Sequence, residues 1–328
     1  LKTLIVALIL LGSSGCLAQT KNSDRKMEQN TQNPMLCDIE TGMCAMPDTN
    51  QETKNDHTAD SKPVHVIYFT DPICSSCWGI EPQLRKLKLE YGNNIEIEYR
   101  MGGLLPDWSY NSGGISKPSD VAHHWDEVSH HYEMPIDGDV WLEDPLNSSY
   151  PPSIAFKAAQ LQDQAKSIVF LRRIREMVFL EKKNITKWEH LSQAAKEAGL
   201  DVVQLKTDFE GRAVQLFQED LSLARKMGVR GFPTMYFANE SGNQRTVYGS
   251  RPYSEYEQAI VALFPVAAKQ PYDQSAKALF AHYATLTAKE FSVLANVSLQ
   301  KAKETLDQLH QEKYLQKTVT KNGDLWKK

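Results

Sequence analysis

Cysteine is scarce in this chain: five in 328 residues, at positions 16, 37, 44, 74 and 77. That is too few for a small disulfide-stapled scaffold, and the number is odd, so each cysteine needs its own account. Long apolar runs are also lacking. The longest is the eight residues of 4–11, well short of the roughly 20 that a transmembrane helix requires, which excludes a polytopic membrane protein. Neither sign of charge dominates. Lys plus Arg number 37 against 41 for Asp plus Glu, a net charge of −4, so the bulk charge carries no footprint of a nucleic-acid binder. What is present is an ordinary globular composition, 41% apolar and 24% charged, over a length that suggests about two domains.

Residues 1–19 read LKTLIVALILLGSSGCLAQ. A lysine, a short apolar core and then small residues are the layout of an export signal, here 1–18. Two processing routes are open. Ser13-Ser14-Gly15-Cys16 is a loose lipobox that would leave Cys16 lipid-modified, and Cys16-Leu17-Ala18 is a small-x-Ala cleavage site. Either predicts a periplasmic or cell-surface protein, with a lipid anchor as its only membrane contact. A true start at Met27 or Met35 would instead leave the protein in the cytoplasm.

Residues 19–62 contain no aromatic residue and are rich in Asn, Gln, Asp, Thr and Lys. Such a stretch buries too little apolar surface to offset its ordering entropy and is expected to be a disordered linker. It carries Cys37-Asp-Ile-Glu-Thr-Gly-Met-Cys44, in which Gly42 allows a tight turn. These two thiols can be a second redox dithiol, a metal site with Asp38 and Glu40, or an incidental disulfide.

The folded part opens at 64–70 (VHVIYFT), a β-branched and aromatic run that reads as a buried strand. Asp71-Pro72 breaks it. Cys74-Ser75-Ser76-Cys77 follows and leads into a helix to about Tyr91, then an alternating strand at 95–101. Strand, helix and strand in under 40 residues form a βαβ unit. A long helical region, about 116–227, comes next. It has one helix near 119–132, another after Pro151-Pro152, and a capping box at Thr186 and Glu189. Gly231-Phe232-Pro233-Thr234 then opens a strand to 238, a turn at 241–243 leads to a return strand, and 254–264 is a helix.

A cysteine at a helix start meets unpaired backbone N–H groups and the positive end of the helix dipole, which favour the thiolate. Cys74 takes that place as the attacking thiol. Cys77, one turn deeper, is placed to resolve a mixed disulfide, so the pair can perform thiol–disulfide exchange. A zinc site would need further ligands, and no second CxxC exists.

The strand–CxxC–helix with the distant Phe-Pro-Thr resembles the thioredoxin fold, and the helical insertion makes it similar to the DsbA branch. The resemblance implies an α/β domain over 63–265. It also implies a cis-proline facing the CxxC in substrate docking, here Pro233 with Phe232 and Thr234 beside it. FTDPICSSCWGIEPQLRKLKLEYG (69–92), IAFKAAQLQ (154–162) and FLRRIREMVFLEKKN (170–184) further resemble the SpxH-type proteins. Members of that subfamily are cytosolic adaptors that present a redox-responsive transcription regulator to the ClpXP protease. An export signal would separate this chain from that protease, and the Cys37/Cys44 stretch has no counterpart assigned by the resemblance.

Other clusters compete for a role. His123, His124, His130 and His131 share one expected helix with Asp126 and Glu127 and can be read as metal ligands, though they read better as surface or satisfied helix residues. Trp108, Trp125, Trp141 and Tyr150 are packing residues or the lining of a peptide groove. The tail 269–328 holds ten Lys and six acidic residues, a balance of +4 that leaves −8 for the rest. Its pattern, three helices capped at Thr287/Glu290 and Ser298 and a hairpin at Asn322-Gly323, resembles a winged helix. The helix 299–312 carries Lys301 and Lys303 but also Glu304, Asp307 and Glu312, so intramolecular docking or partner binding is expected rather than DNA binding.

The leading expectation is an exported dithiol–disulfide oxidoreductase. It would act on protein or peptide dithiols and disulfides, use no cofactor and no metal, and depend on a redox partner that recycles its CxxC. No nucleic-acid partner is expected. The alternative is a non-catalytic adaptor of the SpxH type. A weaker third reading is metal delivery through the paired cysteines.

Overall fold

The computed structural model describes residues 62–109 and 116–328, and the backbone of 37–38 and 43–45. The expected export signal, Cys16, Met27 and Met35 lie outside the described residues. Within the stretch expected to be a structureless linker, Cys37–Asp38 (β1) and Met43–Ala45 (β2) are paired antiparallel strands. Backbone hydrogen bonding to a neighbouring strand edge supplies what the apolar-poor sequence lacks, as described below.

The central sheet has Val64–Thr70 (β3) between a parallel and an antiparallel neighbour. Ile95–Met101 (β4) lies parallel to it, with Val64 opposite Ile95 and Thr70 opposite Met101. After the short Gly231–Phe232 (β5), Thr234–Asn239 (β6) runs antiparallel on its other side, and Gln244–Tyr248 (β7) closes the order β4-β3-β6-β7. Every residue of β3 except His65 is buried, the signature of a strand covered on both faces.

Two helices replace the single one expected after β3. Ser75–Gly79 (α1) ends at Ile80, and Glu81–Tyr91 (α2) begins beyond it with Pro82 in its first turn. A proline removes one helical N–H and crowds the carbonyl four residues back, so the helix restarts rather than continuing.

The insertion holds Pro118–Tyr132 (α3), Val140–Glu143 (α4), Tyr150–Gln162 (α5), Gln164–Leu180 (α6), Trp188–Glu197 (α7), Val202–Glu210 (α8) and Arg212–Lys226 (α9). The capping box expected at Thr186 does not form. Lys187 is the N-cap of α7, and the Thr186 hydroxyl donates instead to Asn184 Oδ1 at 2.6 Å. Asp220 on α9 anchors the insertion to the sheet. It is fully buried and accepts from Arg100, Lys157 and the Met101 amide at 2.8–2.9 Å. Trp125 and Trp141 are buried in edge-on contact at 5.2 Å, and the Trp108 indole donates to the Leu146 carbonyl. Tyr150 packs edge-on against Phe217. These aromatics are packing residues.

Tyr253–Leu263 (α10) completes the thioredoxin-like body. The tail follows with Ala276–His282 (α11), Thr285–Thr287 (β8), Ala288–Ala295 (α12), Leu299–Gln311 (α13), Gln316–Thr320 (β9) and Gly323–Lys327 (β10), the three strands ordered β8-β10-β9. It has its own apolar cluster around Leu279, Phe291, Leu306 and Trp326, yet belongs to the same compact unit as the body. Leu89 of α2, whose helix otherwise faces the main core, packs into this second cluster.

The tail is held by a buried ionic cluster. Glu290, fully buried, closes the capping box of α12 by accepting from the Thr287 amide at 2.7 Å. The same carboxylate receives both Arg172 guanidinium nitrogens at 2.8 and 3.1 Å and lies 3.3 Å from Arg85 Nε. Arg172 also binds Glu176 at 2.7 Å, and Arg175 pairs with Glu81 at 3.5 Å. Burial alone would raise the Glu81 carboxyl, but Arg85, Arg175 and Arg172 outweigh it and hold it below the usual range. Arg85 further donates to the Thr285 carbonyl at 2.8 Å and stacks on the Tyr283 ring.

Removing one member of a buried, hydrogen-bonded ion cluster leaves its partners uncompensated and costs about 3–5 kcal/mol. Glu290→Ala is therefore expected to lower the urea midpoint of the full chain by that order, with Glu290→Gln less severe because an amide oxygen can still accept from Thr287. Equal midpoints for wild type and Glu290→Ala would show that the cluster does not hold the tail.

Candidate functional site

The CxxC sits where β3 ends. Asp71 and Pro72 turn the chain, and Cys74 becomes the N-cap of α1 with its Sγ accepting the Cys77 amide at 3.1 Å. Cys74 and Cys77 are disulfide-bonded, with Cα atoms 5.2 Å apart. α1 is only five residues long, too short for the helix dipole invoked from sequence to build up, and the Cys77 N–H is the donor that reaches Cys74 Sγ. Both cysteines are fully buried, so the disulfide is closed to solvent.

The helix is fixed by what surrounds it. The Trp78 indole donates to the Pro135 carbonyl at 3.0 Å, its ring stacks on Phe179, and the Arg172 guanidinium lies over its face at 4.4 Å. Tyr132 donates to Ser76 Oγ at 3.2 Å, and its ring occupies the space where a side chain on Gly79 would fall. Arg172 thus touches both the CxxC helix and the ionic cluster that holds the tail.

The Phe232–Pro233 peptide is cis. Phe69 is opposite Thr234 in the β3–β6 register, so Pro233 lies at the same end of the sheet as the loop that carries Cys74. Thr234 is buried and donates to the Gly231 carbonyl at 2.7 Å, while the Pro233 carbonyl accepts from Gly249 at 2.8 Å. Phe232 is fully buried against the backbone of Gly102, where a Cβ would fall 1.7 Å from its ring.

Two features of the site are not apparent from the motif. The first is Asp71, fully buried and accepting from the Ile73 and Leu104 amides and the Ser149 hydroxyl at 2.8–3.0 Å. Burial pushes its carboxyl up to about 6, against the pull of those donors and of Arg175. An acid that follows a buried strand directly is the signal that sequence reading passed over as a strand breaker. The second is β2, which pairs with β5, Cys44 opposite Phe232 and Ala45 opposite Gly231, and runs close alongside α1. The sequence placed Cys37 and Cys44 in a linker, whereas the fold places their strands beside the CxxC.

The histidines do not assemble. His123 is exposed and pairs with Glu127 at 3.1 Å, and His124 is buried. Among the described residues, no group of three or more His, Cys, Asp or Glu is arranged to hold a metal, and no helix is long and apolar enough to cross a membrane.

A CxxC at the end of the central strand, a cis-proline at the same end of a βαβ/ββα sheet and helices inserted between the halves define a thioredoxin-like protein of the DsbA-like kind. A family model described as thioredoxin matches residues 68–258. The solved structure of a candidate protein disulfide isomerase from Nitrosomonas europaea superposes with a TM-score of 0.53 at 20% identity, covering 62% of this chain and 97% of that one. The likeness to curated sequences is longer. The chain is 33% identical over 302 residues to the ClpXP adapter protein SpxH of Halalkalibacterium halodurans, covering 90% of this chain and 98% of that protein. Its identity to the SpxH of Bacillus subtilis is 30% over 276 residues, 83% of this chain and 91% of the other. This chain belongs to the thioredoxin-fold family of SpxH-type proteins.

Two outcomes check the site. The Asp71 carboxyl has a folded pKa raised from 3.8 to about 6, so it binds its proton more tightly folded than unfolded. Its contribution to stability is full below about pH 4 and is lost as pH rises through 6, by roughly 3 kcal/mol at 1.36 kcal/mol per pH unit. Urea midpoints between pH 4 and 7 should lose this component in Asp71→Asn, and an unchanged pH profile would assign the dependence elsewhere. In Gly102→Ala the new methyl must displace Phe232, an overpacking cost of about 1–3 kcal/mol. Phe232→Leu in the same chain should recover part of it in thermal denaturation, and simple additivity of the two changes would contradict the contact.

Proposed function

We propose that this protein is an adaptor that presents a protein client to the ClpXP protease. The observation that carries the reading is the span of the likeness: alignment with a curated SpxH covers 98% of that protein. By contrast, the solved thioredoxin-fold structure covers 62% of this chain. An enzyme that needed only the thioredoxin body would have no use for a tail fixed to it by a buried ionic cluster. An adaptor needs two places to hold two partners, and a body joined rigidly to a basic tail supplies them.

A second reading, thiol–disulfide exchange with protein or peptide substrates, is favoured by the Cys74–Cys77 disulfide at the same end of the sheet as cis-Pro233 and by the amide that Cys74 accepts. In that reading Cys74 attacks a substrate disulfide, Cys77 resolves it, and a separate redox partner resets the pair. The two readings part on compartment. Adaptor action requires the protein in the cytosol beside ClpXP, as a start at Met27 or Met35 would leave it. Export through residues 1–18, with or without a lipid on Cys16, leaves only the exchange reading.

The adaptor reading is tested by adding the full chain to purified ClpXP with the redox-responsive regulator that SpxH-type adaptors present. Degradation should accelerate at least several-fold, and the variant Cys74→Ser with Cys77→Ser should retain most of that acceleration. No acceleration by the wild-type chain would sink the adaptor reading. Acceleration lost in the double variant would make the redox pair part of the function. Cell fractionation with the mass of the mature N-terminus decides the compartment.

A further inference from the structure

The hairpin of β1 and β2 belongs neither to the thioredoxin sheet nor to the tail. Cys37 and Cys44 are directly opposite each other in its register. Facing residues of an antiparallel pair have Cα atoms about 4.5–5.5 Å apart, inside the range that a disulfide spans. The sequence between them is Asp-Ile-Glu-Thr-Gly-Met, long enough to turn. Position, not only spacing, singles this pair out. β2 is the strand that extends the hairpin onto β5, and Cys44 is opposite Phe232, the residue before cis-Pro233. β2 also runs within 8 Å, Cα to Cα, of the helix that begins just after Cys74. A chain segment added to a free strand edge is held by main-chain hydrogen bonds, a common mode of peptide recognition. Here the added segment is part of the same chain and carries two cysteines.

We propose that Cys37 and Cys44 are an internal redox partner of Cys74 and Cys77, exchanging a disulfide with them while the hairpin is docked on β5. This rests on the CxxC being redox-competent, the second reading above. In the forward step the Cys74 thiolate attacks Sγ of Cys44 in the Cys37–Cys44 disulfide. The Cys37–Cys44 bond breaks, Cys37 leaves as a thiolate, and a Cys74–Cys44 bond forms. The Cys77 thiolate then attacks Sγ of Cys74, and Cys44 leaves as a thiolate. One disulfide and one dithiol stand on each side, two electrons and two protons pass from the CxxC to the hairpin, and no outside oxidant or reductant enters. The reverse step oxidises the hairpin. Cys44, on the strand that pairs with β5, is the sulfur assigned to the mixed disulfide, and Cys37, on the outer strand, is its leaving group.

Docking also raises the effective concentration of one pair at the other to the millimolar range or above expected of a short tether. The buried Cys74 thereby has a reaction partner within the fold.

The test uses the full chain carrying Cys77→Ala with Cys37→Ala, so that neither the resolving thiol nor the leaving thiol can dissolve a Cys74–Cys44 mixed disulfide. The protein is reduced, freed of reductant, oxidised with a small disulfide such as glutathione disulfide, and quenched with an alkylating agent. Non-reducing digestion and mass spectrometry are expected to find a peptide linking Cys74 to Cys44 in monomeric protein, in a yield that does not change over a tenfold dilution. Cys44→Ala in the same chain should abolish it. If Cys74 takes up glutathione and no peptide joins it to Cys44, the internal exchange is overturned while the redox site stands. If Cys74 reacts with neither, the redox reading itself falls and the inference with it. A link found only in dimers, or one that fades on dilution, overturns it as well.

Discussion

Three arginines and three glutamates, buried where α2, α6 and α12 meet, set the constraint on which the rest of the molecule depends. Charges are taken out of water at a cost of several kcal/mol each and are tolerated only when each finds its partners in good geometry. Arg172 is the member with the widest reach. It grips Glu290 of the tail and Glu176 of its own helix, and its guanidinium lies against Trp78 of the CxxC helix. The three parts of the molecule cannot shift independently without breaking one of these contacts. The tail is therefore better described as a fixed part of the molecule than as a domain on a tether.

Much of this was legible because it rests on local pattern. The β-branched and aromatic β3, the alternating β4 and the CxxC between strand and helix are read directly from residue order. The Thr287/Glu290 box is read from spacing alone, and it forms. What the sequence did not disclose is what depends on distant partners. Glu290 looks like a capping residue, and nothing near it in the chain says that it also meets two arginines from α2 and α6. Thr186 with Glu189 matches the capping pattern equally well, but Asn184 offers Thr186 a closer acceptor and the box is lost. Pro82 was in plain view, yet its effect in splitting the helix at Ile80 was missed because the apolar positions run on across the break. The ionic residues that secure the tail read, one by one, as ordinary surface charges of amphipathic helices.

The linker shows the same limit from the other side. Composition speaks to whether a segment can build a core of its own, and 19–62 cannot. It does not speak to whether the segment can borrow an edge. β5 is two residues long and gives β2 a strand to pair with. The same edge stands beside Pro233, which links the ancestry of the fold, a site that meets extended chains, to the segment that occupies it here. The family likeness to SpxH and the intact CxxC are therefore compatible: an edge that pairs with an extended strand is a place to hold a chain.

Glu290 has a bearing on how the molecule comes to exist at all. It arrives in the last eighth of the chain, after every arginine of the cluster has been made. Until then Arg85 and Arg172 lack the Glu290 carboxylate, and the side chains of α2 and α6 that meet it stand open to water. Arrival of the last segment is what takes them out of water, and it brings their counter-charge in the same step.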